Sequence, residues 1–160
     1  MNRLYVSFGA IAAAMVVFAD QLSKYLLLEW IMVPPRVVPV NSFFNLVLSW
    51  NKGVTFGLFN HGNEWNPYIF ATLAIVIVCF LMVWLVRAAS MVEALAIGLV
   101  IGGAIGNNMI DRLRFGAVVD FLDFYVAGYH WYAFNIADSA IVCGVGLLLL
   151  ENVVRGHKKG

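Results

Sequence analysis

A chain of 160 residues that is 62% hydrophobic and 12% charged, with a net charge of +1, departs from a soluble domain, where about a quarter of residues are charged. Its mean hydropathy is +0.87. The composition predicts one integral membrane domain over residues 1–160, and the near-neutral charge without a long basic tract gives no nucleic-acid signal.

The first apolar stretch, about 4–28, follows Arg3 and is long enough to span a bilayer, which takes about 20 residues. Val17-Phe18-Ala19 has the small-residue look of a signal-peptide cleavage site, but the apolar run continues to Leu28, which favours a span. Asp20 and Lys24 lie four apart and share a helix face, with Ser23 beside them. They read either as an interfacial ion pair or as a brace for a polar site.

From Glu29 to Asn66 the hydropathy breaks, and Pro34, Pro35 and Pro39 exclude a continuous helix. Val37–Val40 and Phe43–Trp50 are β-branched and aromatic, which predicts short strands. Asn51-Lys52-Gly53 reads as a turn in which glycine takes a positive φ. Phe56, Leu58, Phe59 and Trp65 form an apolar patch suited to the headgroup level or to the core of the sheet.

Further spans are predicted at about 67–86, 91–110 and 132–154, leaving outer loops 29–66 and 112–131. The predicted fold is mainly α: four transmembrane helices with a small extracytoplasmic β-sheet. Gly98, Gly102, Gly103 and Gly106 give the third span a small-residue face for close helix packing. Cys79 and Cys143 lie in apolar runs and read as buried small hydrophobes, with no zinc-type spacing.

Arg3, Arg87, Arg155, Lys158 and Lys159 flank one side, which predicts that this side, with both termini, is cytoplasmic. Asp20, Lys24, Asn51, Asp111, Arg112, Asp120, Asn135 and Asp138 then converge on the outer face. Solvated helix ends account for Arg114 and Asp123, but not for Asp138, which sits inside an apolar helix. Two partly desolvated neighbouring carboxylates share a proton, as an aspartic protease requires. Asp120 and Asp138 are the predicted pair. Other protease chemistries fit poorly: there is no H-E-x-x-H or G-x-S-x-G. His61 with Glu64, and His130, show no partner set; Ser139 directly follows Asp138 and so points elsewhere around the helix, and Cys143 lies over a turn deeper with no histidine near it in sequence.

Five motifs in order resemble the lipoprotein signal peptidases (signal peptidase II). They are Asp20-Gln21-Leu22-Ser23-Lys24, Asn51-Lys52-Gly53-Val54-Thr55-Phe56-Gly57 with Thr55 where alanine is usual, Gly106-Asn107-Asn108-Met109-Ile110-Asp111-Arg112, Val118-Val119-Asp120-Phe121, and Phe134-Asn135-Ile136-Ala137-Asp138. The third is one residue longer than the family's pattern. That length suggests a helix bulge and leaves two asparagines for one role, of which Asn108 is favoured by its spacing to Asp111.

The resemblance implies an aspartic endopeptidase in the bacterial inner membrane that uses neither metal nor organic cofactor. It would remove signal peptides from diacylglyceryl-modified prolipoproteins, cutting before the lipidated cysteine. Asp120 and Asp138 would be catalytic. Asp20, Lys24, Asn51, Gly53, Asn108, Asp111, Arg112 and Asn135 would support the dyad or bind substrate. Membrane lipid and globomycin-type cyclic peptides would be further partners. A proton relay or transporter is the rival from another class, but its carboxylates would run through the membrane's thickness. A structural assembly subunit would tolerate Asp120→Asn, and pilin-type aspartyl proteases resemble a G-x-G-D pattern absent here.

Overall fold

The computed structural model describes residues 2–53 and 65–157. Helix α1, Arg3–Leu26, starts where Asn2 accepts a hydrogen bond from the Leu4 amide at 3.1 Å, and it runs into a π-helical turn, Leu27–Ile31. Strands β1 (Val38–Asn41) and β2 (Phe44–Asn51) follow, and α2 (Asn66–Val86) opens with Pro67 in its first turn. Helix α3, Met91–Ala104, is capped by Ser90, whose hydroxyl accepts from the Glu93 amide at 3.0 Å. It continues as a π-helical segment, Ile105–Asp111, and a last turn, α4, Arg112–Phe115. Then come β3 (Val118–Val126), β4 (Tyr129–His130) and α5 (Ile136–His157).

Among the described residues, four helical stretches are long and apolar enough to cross a membrane: Arg3–Ile31, Asn66–Val86, Met91–Phe115 and Ile136–Arg155. The central one is α3, packed against α1, α5 and α2. Glycine makes that possible. A Cβ on Gly102 would stand 2.6 Å from the Ala13 carbonyl oxygen, and one on Gly103 would stand 2.5 Å from that of Ala137. The small-residue face expected from the sequence is therefore the contact surface for α1 and α5. By contrast, α2 turns Ile69, Leu73, Val76, Phe80 and Val83 outward, as lipid-facing residues do.

The strands form one antiparallel sheet in the order β1-β2-β3-β4. Val119 and Phe121 of β3 form one buried cluster with Leu27 and Met32 from the end of the first span. Half of this sheet was hidden in the sequence. The stretch 112–131, read as a loop, contains the end of the third helix, β3 and β4. Gly116, at φ 71°, ends the helix in the left-handed conformation and turns the chain into β3. Residues Val118 to Phe121 are all buried, so the strand lacks the apolar/polar alternation by which a half-exposed strand is recognised. The fourth helix begins at Ile136, not 132, because Phe134 still pairs with Leu122 of β3.

Three smaller expectations change. Cys79 and Cys143 are free and exposed on the bundle's outer surface, not buried; a thiol is apolar enough to face lipid. Gly53 does not take a positive φ; among the described glycines only Gly116 and Gly128 do. The patch at Phe56, Leu58 and Phe59 lies outside the described residues, as do Thr55, His61 and Glu64.

Candidate active site

At the start of α5 the chain makes a reciprocal cap. The Asn135 side-chain oxygen accepts from the Asp138 amide at 2.9 Å, while the Asp138 carboxylate accepts from the Asn135 amide at 3.2 Å. This is the capping-box geometry, with an aspartate three residues after an asparagine. It fixes Asp138 against the first turn of the helix. The other end of Asn135 is equally committed. Its amide nitrogen donates to Asp120 Oδ1 at 2.7 Å and to the Val119 carbonyl at 3.2 Å. One buried asparagine therefore holds a carboxylate from β3 and a carboxylate from α5 in a common site.

Each carboxylate has one further donor. Asn51, at the end of β2, donates to Asp120 Oδ2 at 3.1 Å. The sheet register makes this possible by placing Ser49 opposite Asp120 and Asn51 opposite Val118. Asn107 donates to Asp138 Oδ1 at 2.8 Å. Burial, with the nearby Asp138 charge, pushes the Asp120 carboxyl up to about 7, against the opposing pull of Asn51, Asn135 and Lys24.

Beneath the two carboxylates lies a buried ionic hub. Lys24 Nζ is 2.7 Å from Asp20 Oδ2 and 2.7 Å from Asp111 Oδ2, and it donates to Asn107 Oδ1 at 2.7 Å. These three partners match the three protons of an ammonium. The carboxylates then reach backbone: Asp20 accepts from the Ala137 amide at 3.0 Å and Asp111 from the Val119 amide at 3.1 Å. Those amides lie one residue before Asp138 and one before Asp120. The hub thus ties α1 and the π segment to the β3 backbone and the α5 backbone.

The structure brings together every predicted site residue, with one change of role. Asn107, not the favoured Asn108, links Lys24 to Asp138, while Asn108 accepts from Arg112 Nε at 3.2 Å. The physical reason is the π segment Ile105–Asp111. It accommodates the extra residue of the motif: in the wider turn Asn107 and Asp111, four apart, still share the face toward Lys24, while Asn108, three from Asp111, is rotated away from it. Asn107→Ala is expected to cost roughly tenfold or more in turnover, because it removes the side-chain donor to Asp138, leaving only the Asn135 amide, and takes one of the three acceptors from Lys24. Asn108→Ala is expected to act through Arg112 on substrate affinity and to leave turnover within about threefold. Steady-state assays of both variants would separate the two roles.

Arg112 itself donates to the carbonyl of Gly53 at 3.0 Å and lies 4.2 Å above the Phe70 ring. Gly53 thus enters the site through its carbonyl. Gln21, missed from the sequence, donates to Asp111 at 2.9 Å and Asp20 at 3.1 Å; its signal was an amide inside an apolar helix.

Asp123 and His130 also differ from expectation. Asp123 is buried, not solvated, and accepts from Asn45 at 2.9 Å, and His130 Nδ1 lies 2.9 Å from it. Burial alone would raise its pKa, but the bonds from Asn45 and His130 outweigh that and hold the carboxyl below the usual range. This pair pins β4 to the sheet and has no place beside Asp120.

The comparisons with known proteins agree with one another. The family model described as Signal peptidase (SPase) II matches residues 12–154. The lipoprotein signal peptidase of Rhodopseudomonas palustris (strain TIE-1) is 42% identical over 154 residues, covering 93% of each chain. That of Coxiella burnetii (strain RSA 331 / Henzerling II) is 38% identical over 151 residues, covering 92% of this chain and 90% of its own. A bacterial membrane enzyme solved by the in meso method at 2.3 Å is 30% identical, with a TM-score of 0.81 over 95% of this chain and 91% of its own. A second, at 1.9 Å, is 31% identical with a TM-score of 0.76, over 89% and 90%. The chain belongs to the signal peptidase II family, the aspartic peptidases that process prolipoproteins.

Proposed function

We propose that this protein cuts diacylglyceryl-modified bacterial prolipoproteins just before the lipidated cysteine, with Asp120 and Asp138 activating water. The observation that carries the reading is the Asn135 bridge, which holds Asp120 Oδ1 at 2.7 Å and caps Asp138 in the same site. The ionised member of the pair takes a proton from water, and the protonated member polarises the scissile carbonyl. The water oxygen adds to the carbonyl carbon, and the peptide C–N bond breaks as a proton passes to the leaving amine. The carboxylates are oriented without being neutralised, because their partners Asn51, Asn107 and Asn135 are uncharged.

The membrane setting follows the same reading. Positive charge at Arg3, Arg87 and Arg155 marks the cytoplasmic side, so both termini are inside and the dyad is at the outer face. A lipid-linked signal peptide leaves its cleavage site at that level. Globomycin-type cyclic peptides would compete for the dyad. The transport reading receives no comparable support, since the carboxylates gather at one level.

The experiment is a gel-shift assay with purified protein in detergent and a prolipoprotein substrate, with and without its diacylglyceryl group. Cleavage only of the lipidated form, just before the cysteine, is the expected result. Absence of cleavage by well-folded protein would overturn the reading. The rate should also depend on pH in a defined direction. The pair works with one proton. As pH rises through about 7 the proton at Asp120 is lost, both carboxylates are ionised, and kcat/KM falls. A profile flat from pH 6 to 9 would contradict a shared proton.

A further inference from the structure

On the side of the bundle formed by α1, α2 and α3, a groove of about 880 Å³ opens to the outside. Its walls are apolar, including Ala10, Ala14, Phe18, Leu85 and Ile101, and its polar end is Gln21. Gln21 and Tyr25 also line a second, small niche of about 40 Å³, together with Lys24, Glu29 and Arg114. The apolar slot and the charged niche therefore adjoin at Gln21 and Tyr25, at the end of the spans.

Two of the three charged groups of the niche, the exposed Glu29 and Arg114, are unpaired among the described residues. Lys24 is fully committed to the hub. Glu29 and Arg114 line the same niche but form no ion pair among the described residues, and the Arg114 guanidinium lies 4.7 Å from the Phe115 ring centre. Gln21 uses its amide nitrogen for Asp20 and Asp111, which leaves its side-chain oxygen without a donor among the described residues. One cation and two acceptors thus sit at the mouth of a hydrocarbon slot.

We propose that this groove and niche bind one glycerophospholipid with a phosphoethanolamine head. An acyl chain lies in the slot, the phosphate meets Arg114, and the primary ammonium meets Glu29 and the Gln21 oxygen. The niche has room for a group the size of a few waters, which suits an ammonium but not its trimethylated form. The site is separate from the proposed scissile-bond position, because the groove is lined by α1, α2 and α3 and not by β3 or α5. The proposal does not depend on the proposed cleavage reaction.

The test is native mass spectrometry of delipidated full-length protein in detergent, titrated with dioleoyl phosphatidylethanolamine, phosphatidylglycerol or phosphatidylcholine. The expected result is one phosphatidylethanolamine retained at roughly tenfold lower concentration than the other two, the scale of one or two charge-assisted contacts. Glu29→Gln should erase that preference while phosphate-dependent retention persists. Arg114→Gln should weaken all three lipids, and Arg114→Lys should restore most of the loss. Ala14→Trp, which fills the slot, should also weaken all three, with unfolding midpoints of the variants confirming that the fold is intact. A diacylglyceryl substrate carries no phosphate, so dependence on Arg114 separates a phospholipid from substrate lipid. Equal retention of the three lipids by wild type, or retention unchanged in the variants, would mean surrounding bulk lipid only and would overturn the proposal.

Discussion

Asp120→Asn and Asp138→Asn are each expected to lower cleavage of a lipidated prolipoprotein by at least about 10³-fold, the scale at which loss of a member of a catalytic unit is felt. Neither amide can pass a proton as a carboxylate does. The substitutions are nearly isosteric, so the bundle should persist, but each has a local cost. Asp138 accepts from Asn107 and from the Asn135 amide, and Asp120 accepts from Asn51 and Asn135. An asparagine at either position faces one donor with another donor. A drop of a few degrees in the unfolding midpoint is therefore expected alongside the lost activity, and binding of lipidated substrate should survive. Turnover within tenfold of wild type in either variant would remove that aspartate from the chemistry. Loss of activity only in parallel with loss of fold would mean that the pair is structural.

Lys24→Met is expected to have the largest effect on stability. Lys24 is 2% exposed, and Asp20 and Asp111 are both fully buried at 0%. Removing the cation leaves two buried carboxylates facing each other. Breaking a buried ion pair by deleting one partner costs about 3–5 kcal/mol, which in a chain of this size lowers the unfolding midpoint by on the order of 10 °C. Asp111→Asn placed on top of Lys24→Met should recover part of the loss by removing one of the two stranded charges. Asp20 would still be served by Gln21 and the Ala137 amide. Thermal unfolding in detergent checks this directly. A variant as stable as wild type would show that the hub is solvated in solution. Activity should fall with stability, because the same lysine holds Asn107, and Asn107 holds Asp138.

Much of this was legible without coordinates. The spans could be read because hydrophobicity summed over a bilayer-length window leaves few alternatives. Asp20 and Lys24 could be paired because a helix puts residues four apart on one face, and they lie at 2.7 Å. Asp120 and Asp138 stood out because carboxylates beside apolar helices are costly unless they serve a purpose, and Asn135 holds both in one site. Short-range rules, each needing only neighbours in sequence, carried these readings.

The tertiary structure decided what depends on pairing over distance. The first half of β3, Val118 to Phe121, is buried whichever way its side chains point, so its burial comes from β2 and from Leu27 and Met32, residues about ninety positions away, not from any alternation of its own. The choice of Asn107 over Asn108 rests on the π segment Ile105–Asp111. A regular helix places both Asn107 and Asn108, four and three residues from Asp111, near its face. The wider turn rotates Asn108 away and keeps Asn107 there, where it meets Lys24 of α1. Asp123, which looked solvated, is buried because Asn45 and His130 arrive from two other strands. Sequence by itself determined which residues are apolar, which are charged and how a single helix arranges them. Which polar group meets which was settled by the sheet register and the helix-to-helix contacts, since hydrogen bonds are satisfied by whatever the fold brings within about 3 Å.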